Sequence, residues 1–177
     1  MTSTSASQIQ LTSSAFAYGT RIPDAYTCEG EDISPPLAWG GCPVGARSLA
    51  LVCDDPDAPR GVWVHWVLFN LPVDAVELGP GVPADPELPS GARQGRNDSG
   101  RIGYAGPCPP PGKPHRYFFR LYALDINLGL QAGITKAELE AAMDQHILGQ
   151  GTLMGTYQRG SGEVRKRGGG EAKRKRD

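Results

Sequence analysis

The sequence has no apolar run approaching the roughly 18–20 residues that a membrane-spanning helix requires, so a helical membrane protein is excluded. A secretory leader is also missing. Met1-Thr-Ser-Thr-Ser-Ala-Ser-Gln8 offers neither a basic start nor an apolar stretch, and a cytoplasmic location is the expectation. Cysteine is scarce, with four residues at positions 28, 42, 53 and 108 and no Cys-x-x-Cys pair. Structural zinc needs about four ligands at short paired spacings, so neither a zinc module nor any other metal site is expected. Reduced thiols are the expectation for all four cysteines. Long helix-forming stretches are lacking because 24 Gly and 16 Pro interrupt the chain, which excludes a helical bundle. Several signatures of catalysis and cofactor binding are absent as well: the serine elbow, the P-loop, the dinucleotide glycine fingerprint and the zinc-protease helix. Nothing among the short motifs specifies a reaction or a cofactor.

What is present suits one domain, since 177 residues fall within the usual ~100–200. Hydrophobic residues make up 39% and charged residues 21%, enough apolar material for a sizeable core. A net charge of −1 conceals an asymmetry. Residues 163–177 carry seven Lys/Arg against three acidic side chains, a net of +4, while residues 1–162 carry 11 basic and 16 acidic groups. That terminal stretch contains Gly168-Gly169-Gly170 and no large apolar residue after Val164, so it reads as a disordered, solvated tail. Electrostatic contact of the tail with nucleic acid is the alternative. The expected organisation is a flexible N-terminus at 1–8, a single domain over 9–162 and a basic tail over 163–177.

Within the domain, five runs rich in β-branched and aromatic residues predict strands: Ile9–Phe16, Ser48–Cys53, Val62–Leu71, Arg116–Leu124 and Thr152–Arg159. In the third run, alternation sends Val62, Val64, Trp66 and Leu68 to one face and Trp63, His65, Val67 and Phe69 to the other. Both faces are apolar, so this strand is expected to be covered on both sides. One helix is predicted. Thr135-Lys136-Ala137-Glu138 forms a capping box, and Leu139, Ala142, Met143, His146 and Ile147 recur at helical spacing, with the end expected near Leu148 at Gly149. Leu78–Gly100 shows no strand pattern and reads as a long surface connection. The fold class is therefore mainly β with one late helix.

Three clusters hold chemistry. Asp54-Asp55-Pro56-Asp57-Ala58-Pro59 places three carboxylates in a proline-stiffened loop directly after a strand. Asp54 reads as turn chemistry, whereas Asp55 and Asp57 are either turn residues or site residues. Trp63-Val64-His65-Trp66 puts one histidine between two tryptophans, as a satisfied core residue or as a pocket floor. Gly103 to Lys113 holds too many prolines and glycines for a helix or inner strand, and its glycines allow a ligand close to the backbone. As this loop enters the next strand, His115 and Tyr117 share a face suited to an anion, and Arg116 points away.

Asp55-Pro56-Asp57-Ala58-Pro59, Trp63-Val64-His65-Trp66-Val67 and Gly103-Tyr104-Ala105-Gly106-Pro107-Cys108-Pro109-Pro110, followed by Pro114-His115-Arg116-Tyr117, resemble the phosphatidylethanolamine-binding protein family. The likeness is closer to its prokaryotic, Raf kinase inhibitor-like branch. Cys28-Glu29-Gly30-Glu31-Asp32-Ile33-Ser34-Pro35-Pro36-Leu37-Ala38-Trp39 and Gly151-Thr152-Leu153-Met154-Gly155-Thr156-Tyr157 extend the resemblance to residues 9–159. It implies a central antiparallel β-sheet with a second, smaller sheet and a few peripheral helices. It also implies a small pocket for phosphate or phosphoryl-bearing groups, walled by Asp55, Pro59, Trp63, His65, Cys108, Pro109, His115 and Tyr117. Homodimers and a kinase or other regulated protein partner are implied by the same likeness. The sequence departs from the family pattern at Asp32, where Asn is common, and at Ser99, where an aromatic is usual. The linker from Pro110 to His115 is short, which reshapes the pocket mouth.

The leading expectation is a binder of small anions rather than an enzyme, without cofactor or metal. Two alternatives stand beside it: a hydrolase using Asp55, His65 and His115 as acid and base groups, and an interaction scaffold with a vestigial pocket. Placed beside His65, Asp55 would favour the imidazolium, and anion affinity would fall as pH rises through its titration.

Overall fold

Strand β4 (Ser48–Asp55) is the spine of the molecule, buried along its whole length between β5 (Trp63–Leu71) and β8 (His115–Leu124). Its Ser-Leu-Ala-Leu-Val-Cys sequence is apolar on both pleated faces, the pattern of a strand covered on both sides. The computed structural model describes residues 5–160. Six strands form the main sheet in the order β1-β9-β8-β4-β5-β7, with β1 (Ser7–Gln8), β7 (Arg93–Gln94) and β9 (Ile147–Tyr157). All neighbours are antiparallel except β1 and β9. A second sheet, β2-β3-β6, comprises Gln10–Thr12, Leu37–Gly40 and Glu77–Leu78. The architecture is mainly β, as expected, with one α-helix and one short 3-10 turn at Asp24–Tyr26 among the described residues.

Alternation along β4 divides the core. Leu49, Leu51 and Cys53 pack with Trp66, Leu68, Phe119 and Leu121 against Leu11, Leu37 and Trp39 of the small sheet. Ala50 and Val52 pack on the other face with Val67, Phe69 and the helix residues Leu139 and Met143. The same parity then sends Asp54 to the helix side. There its buried carboxylate accepts hydrogen bonds from Arg120 Nη1 at 2.5 Å and Lys136 Nζ at 2.7 Å. Asp54 is thus an ion-paired anchor of the helix rather than a turn residue. Asp55 falls on the opposite side, at the sheet's end.

Several boundaries differ from expectation. The helix, α1, spans Lys136–Met143 and not as far as Leu148. Thr135 Oγ1 accepts the Glu138 N–H at 3.2 Å, so the N-terminal cap forms as read. Gln145, in the left-handed region at φ 69°, terminates the turn, and Ile147 opens strand β9 instead of completing a helical stripe. His146 leaves the helix altogether and donates from Nδ1 to Asp125 Oδ1 at 2.7 Å. The first expected strand, Ile9–Phe16, contracts to Gln10–Thr12, preceded by β1 at Ser7–Gln8. The last begins five residues earlier than Thr152 and ends at Tyr157.

Leu78–Gly100 is not structureless either. Arg93–Gln94 pairs with Leu68–Phe69, and the fully buried Gln94 side chain accepts the Trp66 indole N–H at 2.8 Å. Gln94 Nε2 also donates to the Pro83 and Asp85 carbonyls, which folds the connection onto β5. Satisfaction of buried polar groups, invisible to hydrophobic periodicity, orders this stretch.

The thiol expectation is corrected for two residues. Cys28 and Cys108 are joined in a disulfide across 80 residues of sequence, while Cys42 and Cys53 are free. Spacing along the chain carried no sign of the pair, because the fold brings two remote loops together. The basic tail reading concerns residues outside those described.

Candidate functional site

Because β4 runs antiparallel to both neighbours, its C-terminal end meets the starts of β5 and β8. Asp55, Trp63, His65, His115 and Tyr117 therefore converge at one end of the main sheet. A cavity of about 260 Å³ opens there, closed on its far side by the loop from Ala105 to Pro110. All eight residues singled out from the sequence, Asp55, Pro59, Trp63, His65, Cys108, Pro109, His115 and Tyr117, line it.

A bulge places His65. Cys53 pairs with Trp66 and Asp54 with Val64, so His65 is an extra residue on β5. The bulge also corrects the alternation read from the sequence: Val64 packs with Val67 and Phe69, on the face opposite Trp66 and Leu68. The His65 ring meets Tyr117 edge to face, with centroids 5.2 Å apart. Its Nδ1 lies 2.6 Å from the Ala105 carbonyl oxygen, and the Ala105 N–H donates to the His65 carbonyl at 3.0 Å. A carbonyl only accepts, so Nδ1 carries the proton and neutral His65 leaves Nε2 as an acceptor. Burial pushes the His65 pKa below its ordinary value of 6.5, although the Ala105 hydrogen bond and the charge of Asp55 oppose the shift.

Asp55 does not sit against His65 as a hydrogen-bond partner. It accepts from Nδ1 of His115 at 2.7 Å through Oδ2, and from the Asp57 N–H at 2.7 Å through Oδ1. The expected imidazolium at His65 is thus replaced by a neutral ring under desolvation, with the carboxylate committed to the other histidine. Asp57 faces away from the cavity and forms a bidentate pair with Arg116, both contacts at 2.9 Å. The Arg116 hydrogen bond holds the Asp57 carboxyl down at about 2. Asp57 is a fastener for the loop rather than a cavity residue.

Tyr117 is the polar atom without a home. The residue lines the cavity, while its hydroxyl is buried and has no hydrogen-bond partner among the described residues. Burial, reinforced by the negative charge of Asp55, raises its pKa, so the phenol keeps its proton. Buried hydroxyls are nearly always satisfied, and this one is a donor without an acceptor at the edge of the cavity.

Sequence reasoning missed Ala58, Ser99, Ala105, Gly106 and Pro110 in the lining. Ser99 arrives because Asp98 pairs with the start of β5, its Oδ2 accepting the Val64 N–H at 2.7 Å and its own N–H donating to the Val64 carbonyl. The Asn97-Asp98-Ser99-Gly100 turn was the available signal. Asp32, a departure from the family pattern, has a positional role. Left-handed at φ 58°, it accepts the Gly106 N–H at 2.7 Å. A β-carbon on Gly106 would lie 2.3 Å from the Tyr26 carbonyl oxygen, so only glycine lets the loop close onto that partner.

The arrangement offers a partly open niche lined by the hydroxyl-bearing Tyr117 and Ser99 and by two imidazoles whose Nδ1 atoms are already committed. The chain matches known proteins along nearly all of its described residues. The sequence profile of the phosphatidylethanolamine-binding protein family matches residues 12–158. A UPF0098 protein of Methanothermobacter thermautotrophicus is 56% identical over 152 residues, covering 86% of this chain and all of that one. A structure described as a phosphatidylethanolamine-binding protein homologue from Chlamydia trachomatis superposes with a TM-score of 0.80 at 44% identity, covering 88% of this chain and 100% of that chain. Escherichia coli YBCL, described as a new member of the mammalian family, superposes at 0.80 with 33% identity, over 86% and 99% of the two chains. With fold and sequence in agreement, the chain belongs to the phosphatidylethanolamine-binding protein family.

Proposed function

We propose that the chain is a binding module that takes a small anion or phosphoryl-bearing group into the cavity at the end of β4, without turning it over. The observation that carries this reading is the buried, unpartnered Tyr117 hydroxyl beside the imidazoles of His65 and His115. A phosphoryl oxygen is a fitting acceptor for that hydroxyl. A proton-bearing oxygen of the same group can donate to the His65 Nε2 lone pair. A homodimer that presents the loaded pocket to a kinase or other protein partner is part of the same proposal, supported by family resemblance. A second reading is favoured by one contact: the Asp55–His115 pair has the form of an oriented general base, as a hydrolase would use.

The test is a thermal-shift and calorimetric titration with inorganic phosphate, phosphoethanolamine and nucleotides on wild type and His65→Ala. A ligand that binds only the folded state raises the melting temperature. Stabilisation of wild type and not of His65→Ala is the expected result. Absence of any shift points instead to a scaffold with a vestigial pocket. Hydrolysis of a generic ester that is lost in His115→Ala supports the hydrolase.

A further inference from the structure

The Cys28–Cys108 disulfide lies in the wall of the cavity, since Cys108 is one of its lining residues. Both cysteines are exposed to solvent. The loops that they join are held together in other ways as well. Gly106 donates to Asp32, Tyr104 donates its hydroxyl to the Tyr26 carbonyl at 2.7 Å, and Cys28 N–H donates to the Pro107 carbonyl at 3.1 Å. Loss of the sulfur bridge therefore leaves the loop up to Pro107 in place.

The next five residues are different. Cys108-Pro109-Pro110-Pro111-Gly112 lacks amide hydrogens at three positions, and its only hydrogen bond within the described residues runs from Gln158 Nε2 to the Gly112 carbonyl. Consecutive prolines make this segment a stiff strap. It is fastened at one end through Gly112 and at the other through the Cys108 sulfur. Pro109 and Pro110 of the strap line the cavity with Cys108.

We propose that Cys28 and Cys108 are a site of thiol–disulfide exchange, and that a dithiol reductant releases the Cys108–Gly112 strap and so loosens the anion pocket. A reductant thiolate attacks the sulfur of Cys28, an exposed residue, a mixed disulfide forms, and Cys108 departs as a thiolate that takes up a proton. The second reductant thiol then attacks the mixed disulfide, and Cys28 leaves and is protonated. Two electrons and two protons pass to the protein, and the reductant ends as its own disulfide. The proposal deepens the anion-binding reading, on which its ligand arm rests, but the strap's release has its own readout.

The test compares oxidised and dithiothreitol-reduced full-length protein, with Cys28→Ser and Cys108→Ser as variants that cannot close the bridge. Alkylation under native conditions followed by mass measurement verifies that the bridge opens, and far-ultraviolet circular dichroism verifies the fold. Backbone order parameters at Cys108, Gly112 and Lys113 are expected to fall from about 0.85 to below about 0.6 on reduction, with Ala105 and Gly106 unchanged. Inorganic phosphate is expected to bind about fivefold or more weakly to the reduced protein, and both serine variants are expected to match it and ignore the reductant. Unchanged order parameters, a bridge that resists reduction in the folded state, or unfolding on reduction each overturn the proposal. Released order parameters together with no phosphate binding in either state support the exchange site and overturn the anion reading.

Discussion

Asp55 and His115, 60 residues apart in sequence, meet through a 2.7 Å hydrogen bond from the imidazole Nδ1 to the carboxylate Oδ2. Two further contacts fix the geometry around them: the Asp57 N–H on the other Asp55 oxygen, and the Asp57–Arg116 pair that closes the loop. The carboxylate thereby sets which His115 nitrogen faces a guest. If Asp55 acts through His115, its removal matters only while the imidazole is there. Asp55→Ala is expected to weaken phosphate binding about tenfold in wild type, and less than about twofold in a His115→Ala background. A calorimetric double-mutant cycle measures this. Equal effects in both backgrounds mean that Asp55 acts on the ligand directly.

The His65 tautomer predicts a preference among anions. With Nδ1 committed to the Ala105 carbonyl, the neutral ring presents an acceptor, and a guest that carries a proton satisfies it. Phosphate carries one at neutral pH and sulfate does not. Phosphate is expected to bind at least about tenfold more tightly than sulfate at pH 7, the size of effect expected when a buried polar atom is left unpaired. Competition calorimetry decides the matter, and equal affinities would sink the assignment.

The same residue predicts an acid-side loss of stability. Burial holds the folded-state pKa of His65 below its ordinary 6.5, so the unfolded chain binds this proton first. Above that value both states are neutral at this site, and the contribution is flat. As pH falls from 6.5 toward the folded value, stability declines. Asp55, Asp32 and Asp54 oppose the shift without reversing it. Denaturant titrations between pH 7.5 and 5 are expected to show a slope that His65→Phe flattens, and an identical slope in the variant assigns the decline to other groups.

Tyr117 separates binding from stability. Its unpartnered hydroxyl costs the empty protein about 1–3 kcal/mol of lost hydration. Tyr117→Phe is therefore expected to leave the apo melting temperature unchanged or raise it, and to weaken phosphate binding about tenfold. A variant that is less stable yet binds phosphate normally contradicts the reading of this hydroxyl as a ligand donor.

Much of this was legible residue by residue. The apolar run at Ser48–Cys53 announced a strand, the two-faced run at Val62–Leu71 announced a covered one, and Thr135 announced the helix start. The eight cavity residues came from motif positions within three short segments and the likeness that they carry, and the cavity gathers all of them. Where reading failed, a local rule met a non-local partner. Ile147 and His146 fit a helical period, but strand β9 claimed Ile147 and Asp125 claimed His146. Val64 fit strict alternation, and one inserted residue at the bulge reversed its face.

Strand identity, core parity along β4 and the chemical types around the cavity follow from periods of two and from side-chain chemistry, both written in consecutive residues. Partnership does not. Whether Asp55 holds His65 or His115, whether Cys28 finds Cys108, and whether the Tyr117 hydroxyl is satisfied depend on distances between segments 40 to 80 residues apart. Those distances are set by how β4, β5 and β8 register and by how the glycine-proline loop folds back onto Asp32, and packing alone establishes them.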